Sequence, residues 1–184
     1  MRRVILVCGK RLSGKDWFIG QLVRLLGAVH FSPTTEFKRD VCRKYSLDYG
    51  RLQSERAYKE QHRHLLVSEF RASNERAPRE YDERVVQLIC AESGPRLILV
   101  DVRLRAQVEF YMRELLNRAE CVLVRVRASD EVRARRGFAY TAGVDDEAAE
   151  TDLDGARYDG TFENENARPA QTVVFIERLF VGYD

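Results

Sequence analysis

The sequence predicts an α/β protein: a three-layer sandwich in which a parallel sheet of about five strands carries helices on both faces. Two observations predict this fold. Short apolar, β-branched runs alternate along the 184 residues with longer segments whose apolar residues recur at helical spacing. The first apolar run also leads directly into a glycine-bounded loop and then into a helix. Strands that alternate with helices in this way are typical of a parallel sheet with helical crossovers.

The strands are predicted from their apolar runs. The run "VILVC" at 4–8 has the composition of a buried parallel strand, and "RLILVD" at 96–101 is the clearest strand of the chain. The last strand is poorly defined, because Gly160 and Thr161 stand where apolar residues are expected. The five predicted strands cover 4–8, 28–31, 96–101, 121–126 and 159–164.

The helices are predicted from the spacing of apolar residues and from their end signals. Gly27 ends the first helix, and Ser32-Pro33 supplies a cap and a first residue for the second. Gly94-Pro95 ends the helix before the third strand. The predicted helices cover 17–26, 34–45, 54–75, 80–92, 104–117, 129–136 and 169–181.

Composition restricts the class of protein and of partner. A hydrophobic fraction of 45% with 33% charged residues is typical of one globular domain. The net charge of +2 gives no overall preference for nucleic acid or for an anionic membrane, so we expect neither as a partner. No segment approaches the roughly 20 apolar residues of a membrane span, and the first strand begins without a leader, so the expected location is cytoplasmic.

The stretch "GKRLSGKD" from Gly9 to Asp16 places Gly9, Gly14 and Lys15 in the register of the phosphate-binding P-loop, G-x-x-x-x-G-K-[ST]. In a P-loop the backbone N–H groups and the helix N-terminus bind phosphate oxygens, and the lysine reaches the β- and γ-phosphates. The final position normally carries a hydroxyl that helps to hold Mg²⁺, whereas here it carries the carboxylate of Asp16. An ordinary polar turn between strand and helix remains the alternative.

Two further features suit a P-loop enzyme. Asp101 closes the third predicted strand, where an acidic residue would coordinate or orient a metal ion, although it could instead cap the helix that follows. The arginines Arg133, Arg135 and Arg136 precede a glycine-containing acidic loop, as in a mobile lid that neutralises a transferring phosphoryl group. A solvated helix face is the alternative for these arginines.

These motifs resemble those of the animal-type phosphomevalonate kinases over approximately residues 4–166. The family's P-loop, G-K-R-x-S-G-K-D, has the unusual aspartate and is followed here from Gly9 to Asp16. Its D-x-R strand end is similar to Asp101-Val102-Arg103, and its "YKE" with a nearby arginine is similar to 58–60 with Arg63. The lid pattern matches at Arg133, Arg136, Gly137, Phe138, Tyr140, Thr141, Gly143, Val144, Asp145 and Asp146, and continues at Glu150, Leu153, Asp154, Glu163 and Asn164.

The resemblance implies a single P-loop kinase domain over 1–184, with the P-loop at 9–16, acceptor-binding helices within 33–92 and a mobile lid at 130–155. It implies transfer of the ATP γ-phosphoryl group to (R)-5-phosphomevalonate, giving 5-diphosphomevalonate and ADP in the mevalonate route to isoprenoids and sterols. The cofactors would be ATP and Mg²⁺, and the chain would act as a monomer on small molecules.

Each site residue receives a role through that resemblance. The implied catalytic residues are Lys10, Arg11, Lys15 and Arg136. The implied nucleotide-binding residues are Gly9, Lys10, Arg11, Ser13, Gly14, Lys15, Asp16, Arg133, Arg136 and Asn164. The implied acceptor-binding residues are Lys59, Arg63, Arg84, Arg103 and Arg105, and the implied metal-site residues are Asp16 and Asp101.

The chain also departs from the family pattern. Leu12 stands where a second basic residue is usual, and Leu104 separates Arg103 from Arg105, where two adjacent arginines are usual. Two other functions therefore stay open. One is another small-molecule kinase of the same fold, such as a nucleoside monophosphate kinase or a dephospho-coenzyme-A kinase. The other is a catalytically weakened nucleotide-binding protein with a regulatory role.

Overall fold

A parallel sheet forms the centre of the protein, as predicted. The structure is a computed structural model that describes residues 2–93 and 97–180. All four strand pairings are parallel, and the strand order is β2-β3-β1-β4-β5. The strands are β1 (Arg2–Cys8), β2 (Val29–Phe31), β3 (Leu97–Asp101), β4 (Ala119–Arg127) and β5 (Gly160–Glu163).

Ten helices connect and follow the strands within the described part of the chain. Gly27 ends α1 in a left-handed conformation, and Ser32-Pro33 begins α2, as the sequence predicts. The helices are α1 (Lys15–Leu26), α2 (Pro33–Tyr45), α3 (Tyr49–Ser54), α4 (Arg56–Gln61), α5 (Arg63–Arg76), α6 (Glu80–Ala91), α7 (Arg105–Glu114), α8 (Asp130–Arg135), α9 (Ala148–Thr151) and α10 (Pro169–Phe180). None of the described helices is both long and apolar enough to cross a membrane.

The chain forms two compact units. The first contains the sheet and comprises residues up to Phe31 and from Cys90 onward; the second is Ser32–Ile89. The division does not test the predicted single domain, which stays a prediction.

In the first unit, β1 is the innermost strand, because it pairs with β3 on one side and β4 on the other. Ile5, Leu6 and Val7 are fully buried, so the loop that follows β1 starts from the most constrained part of the sheet. One face of the sheet packs against α1 and α10 through an aromatic cluster that includes Phe18, Phe162 and Phe175.

The weak apolar pattern of the last strand, β5, has a physical explanation. A Cβ atom at Gly160 would lie 2.9 Å from the ring of Phe175 and 3.0 Å from Leu179. Glycine therefore lets α10 approach β5 closely, and Phe162 supplies the buried side chain of this strand. The poor apolar pattern of β5 reflects this close packing rather than a missing strand.

The second unit differs from the predicted helix over 54–75. The structure divides this region, because Glu55 is extended and His62 also departs from helical geometry. A further helix, α3, begins earlier, where the Asp48 side chain accepts a hydrogen bond from the Arg51 N–H. Within this unit, Phe37 makes edge-to-face contacts with Phe70 and Tyr81.

Other predicted boundaries of helices and strands differ less from the structure. Strand β4 is longer than the predicted 121–126, and the predicted loop of the lid contains the one-turn helix α9. The predicted helix end at Gly94-Pro95, the start of the third strand at residue 96 and the end of the last helix at residue 181 lie outside the described residues.

Candidate active site

The loop from Gly9 to Gly14 has the backbone that a P-loop requires. A Cβ atom at Gly9 would lie 2.7 Å from the carbonyl oxygen of Val126, so only glycine lets the loop approach β4. Gly14 has a φ of +89°, and a Cβ there would overlap the Asn164 side chain. Helix α1 then begins at Lys15, so its N-terminal N–H groups face the loop. Leu12, which stands where the family usually has a basic residue, is 37% exposed and has a positive φ of 62°.

Lys15 lies between two carboxylates. Its Nζ is 3.0 Å from Asp101 Oδ1 and 2.8 Å from Asp16 Oδ1. Asp101 is aligned with Val7 in the sheet, which brings the end of β3 beside the P-loop. Burial lowers the pKa of Lys15, but the charges of Asp101 and Asp16 outweigh this effect and raise the pKa above its usual value. Lys15 therefore stays charged at neutral pH.

The two carboxylates fit the requirements of a Mg²⁺ site. Mg²⁺ is usually bound in kinases by one or two carboxylates together with waters and substrate phosphates. Asp16 is 94% exposed at its side chain, so one carboxylate is open to solvent. Asp101 Oδ1 is buried and accepts no hydrogen bond, although it lies close to the Lys15 ammonium. Because Oδ1 contacts Lys15 through its charge and accepts no hydrogen bond, its lone pairs could also be used by a metal ion or a metal-bound water. Leu104, not Asp101, is the N-cap of α7.

The predicted lid arginines Arg133 and Arg136 bind carbonyl oxygens of the P-loop. Arg136 donates from Nη1 to the carbonyls of Leu12 at 3.1 Å and Ser13 at 3.0 Å. The Asn164 side chain donates to the same Ser13 carbonyl at 3.0 Å. Because these donors bind carbonyl oxygens, they favour a loop whose N–H groups point the other way. Arg133 is buried, donates from Nε to the Arg11 carbonyl at 3.0 Å, and stacks on Phe138.

The other predicted site cations of the first unit are bound by residues of the lid. Lys10 Nζ lies 2.6 Å from Asp154 Oδ2. The Arg11 guanidinium binds Asp145 at 2.9 Å, and Arg103 binds Glu150 at 3.1 Å. The backbone N–H of Arg105 donates to Asp152 Oδ2 at 2.7 Å, and its guanidinium binds the carbonyls of residues 152 and 154.

Sequence reasoning missed Arg125. This residue is aligned with Cys8 at the carboxyl end of β4, and its guanidinium binds Asp154 Oδ1 at 2.5 Å and the Leu153 carbonyl at 3.1 Å. Burial works against the charge of Asp154, but Lys10 and Arg125 together lower its pKa. The signal available in the sequence was a charged residue between two valines near the end of an apolar run.

Lys59, Arg63 and Arg84 belong to the second unit, so their assignment to the acceptor stays a prediction. Arg63 forms an ion pair with Glu60. Arg84 binds Asp40 at 2.8 Å and Glu80 at 3.2 Å. Lys59 lies on α4 and is exposed to solvent.

Within the first unit, the structure thus brings the predicted loop, metal-site and lid residues together at the carboxyl ends of β1, β3 and β4. A cavity of about 210 Å³ lies between the P-loop and the connection from β4 to α8. Its lining includes the cations Lys10, Arg125, Arg127 and Arg133. An arrangement of this kind can bind polyphosphate anions and stabilise negative charge that develops on a phosphoryl group.

Solved structures with a similar fold include a kinase. TT1252 from Thermus thermophilus has a TM-score of 0.62 at 15% identity and is covered over 97% of its length by 98% of this chain. The APS kinase CysC of Mycobacterium tuberculosis has a TM-score of 0.54 at 14% identity, with 97% of each chain covered. At these identities the likeness shows the fold, which is the predicted α/β sandwich of P-loop kinases.

Sequence comparison gives the family. A curated relative from Drosophila melanogaster, a phosphomevalonate kinase, is 28% identical over 195 residues, which cover 100% of both chains. The family model described as phosphomevalonate kinase matches residues 7–117, more than half of the chain and including the whole P-loop, Asp101 and Arg103. The chain therefore belongs to the phosphomevalonate kinase family.

Proposed function

We propose that this protein transfers the γ-phosphoryl group of ATP to the phosphate of (R)-5-phosphomevalonate, giving 5-diphosphomevalonate and ADP. The observation that carries the proposal is the set of cations around the P-loop, which come from several different elements: Lys10, Arg11, Lys15, Arg103, Arg125 and Arg133. Family membership supports the choice of acceptor.

The chemistry of the proposed reaction explains why the site is built mainly from cationic side chains. The acceptor is already a phosphate, so its oxygen is nucleophilic without a strong general base. The main barrier is the repulsion between two anions, which fixed positive charges reduce. In this proposal Lys15 binds the transferring phosphoryl group, while Lys10, Arg11 and Arg103 neutralise the phosphates on either side of it.

Mg²⁺ is the second part of the proposal. Asp16 and Asp101 would hold it, directly or through water. The ion would neutralise the phosphates of ATP and help to align them. The chain's own contribution is to hold the two carboxylates on either side of Lys15, so that one of their two negative charges is balanced before substrates bind.

Recognition of the acceptor carboxylate is assigned to the second unit. Of the three predicted cations there, Arg63 and Arg84 already bind carboxylates of their own helices and neighbours. Lys59 is exposed and is our first choice for this role. We also propose that the protein acts as a monomer in the cytoplasm.

Comparison of several acceptors tests the proposal. ADP formation would be measured in a coupled assay with Mg·ATP and phosphomevalonate, AMP or dephospho-coenzyme A. We expect ADP release with phosphomevalonate far above the release without acceptor. Faster turnover of another acceptor would support the related small-molecule kinase. ATP binding without turnover on any acceptor would support the regulatory nucleotide-binding protein.

A further inference from the structure

The lid carries carboxylates at the places where the proposed reaction needs phosphate oxygens. Glu150 provides the clearest case. Its Oε2 accepts a hydrogen bond of 2.8 Å from the backbone N–H of Arg11, and its Oε1 binds the Arg103 guanidinium at 3.1 Å. A P-loop N–H and a nearby arginine are the donors that would otherwise bind a phosphate. Glu150 is only 10% exposed at its side chain, so the contact is largely shielded from water.

Two more lid carboxylates repeat this arrangement. Asp145 binds the Arg11 guanidinium at 2.9 Å and is 5% exposed at its side chain. Asp154 bridges Lys10 and Arg125. The segment 145–154, which we name the acidic segment, thus engages cations of the P-loop and of the ends of β3 and β4.

The space left between these elements is too small for a phosphoryl group. A cavity of about 10 Å³ is bounded by Gly9 and Lys10 of the P-loop, Arg103 and Arg125 of the strands, and Glu150 and Leu153 of the acidic segment. A volume of roughly 10–15 Å³ holds one water molecule. A phosphoryl group therefore cannot enter this smaller cavity, which is distinct from the cavity of about 210 Å³ beside α8, unless the acidic segment moves.

The contacts of the acidic segment are also incomplete. Arg11 Nε and Asp145 Oδ1 are buried without hydrogen-bond partners. Buried polar atoms left in this state cost free energy, and a native structure rarely tolerates them without a functional reason. Of these two atoms only Arg11 Nε is a donor, and a phosphate oxygen could accept its hydrogen bond.

We propose that the acidic segment is an internal competitor of polyphosphate: in the ligand-free protein its carboxylates occupy the part of the anion site formed by Lys10, Arg11, Arg103 and Arg125, and their release sets the affinity for the nucleotide phosphates. This inference rests on the proposed function, because it assumes that the P-loop binds polyphosphate. The apparent dissociation constant of such a site equals the intrinsic one divided by the fraction of molecules in which the segment is displaced. Weakening the segment's contacts therefore strengthens phosphate binding.

The test uses inorganic tripolyphosphate, which lacks a base and an acceptor, and isothermal titration calorimetry on the whole chain. Glu150→Gln keeps the size of the side chain but removes the charge that binds Arg11 and Arg103. We expect tripolyphosphate to bind about tenfold more tightly, equivalent to about 1.4 kcal/mol. Glu147→Gln is the matched control, because Glu147 is exposed in the same lid and its carboxylate has no partner among the described residues. We expect its affinity to equal that of the wild type.

Two results of the titration would overturn the proposal. Weaker binding by Glu150→Gln would overturn the proposal and make Glu150 a support of the P-loop. Equal gains in both variants would also overturn it, since general charge reduction would then explain the effect. Hydrogen exchange of the wild-type chain gives a second test that needs no variant: tripolyphosphate should speed exchange of the amides in 145–154, and slower exchange there would contradict displacement. Failure of the proposed function would appear separately, as absent phosphomevalonate turnover by the wild type.

Discussion

Replacing Lys15 by alanine should affect both turnover and stability, by different routes. Lys15 and Asp101 are each about one-tenth exposed at their side chains and lie 3.0 Å apart. Breaking a buried ion pair leaves an uncompensated charge and costs about 3 kcal/mol of unfolding free energy. The contact with the 94% exposed Asp16 adds less than about 1 kcal/mol. Loss of a charge aimed at the transferring phosphoryl group should lower turnover about 100-fold or more.

The double variant Lys15→Ala with Asp101→Asn separates these two effects. Urea unfolding should show that most of the lost free energy returns, because asparagine is neutral and similar in size to aspartate. The coupled ADP assay at saturating ATP should show no recovery of turnover. A Lys15→Ala variant with turnover within threefold of the wild type would refute the assignment of this loop as the phosphate-binding site.

Three further predictions concern the same site. Asp16→Asn should shift the Mg²⁺ dependence of turnover to higher concentrations, since a neutral amide binds Mg²⁺ more weakly; an unchanged titration would make Asp16 a structural residue. Arg136→Ala should lower turnover more than it weakens ATP binding, and an effect confined to ATP affinity would leave Arg136 with a binding role only. Burial raises the pKa of the Cys8 thiol to about 11. At about pH 8.5, near the pKa of a free thiol, native Cys8 should be alkylated much more slowly than in the urea-unfolded chain, with the rate rising at higher pH; equal rates by mass spectrometry would contradict this.

The sequence located all five strands, and β1, β3 and β4 most clearly, because these buried central strands are continuous apolar runs. The end signals at Gly27 and at Ser32-Pro33 also marked helix boundaries correctly. The helix predicted over 54–75 was wrong in its continuity. Its polar residues favour helix throughout, and the breaks at Glu55 and His62 depend on packing within the second unit, which periodicity does not report.

The P-loop could be located from its spacing, but the partners of its side chains could not. Contacts such as Lys10 with Asp154 or Arg11 with Asp145 join residues more than 100 positions apart. The acidic loop of the lid was predicted, whereas its occupation of the anion site depends on the folded path of the chain.

The most direct test of the central claim is the phosphorus NMR spectrum of the product formed from phosphomevalonate and Mg·ATP. We predict that the phosphomonoester signal of the acceptor disappears and that two mutually coupled signals of a diphosphate ester replace it as ADP accumulates. An unchanged phosphomonoester signal during ADP formation would show that phosphate is transferred elsewhere, and would contradict the account.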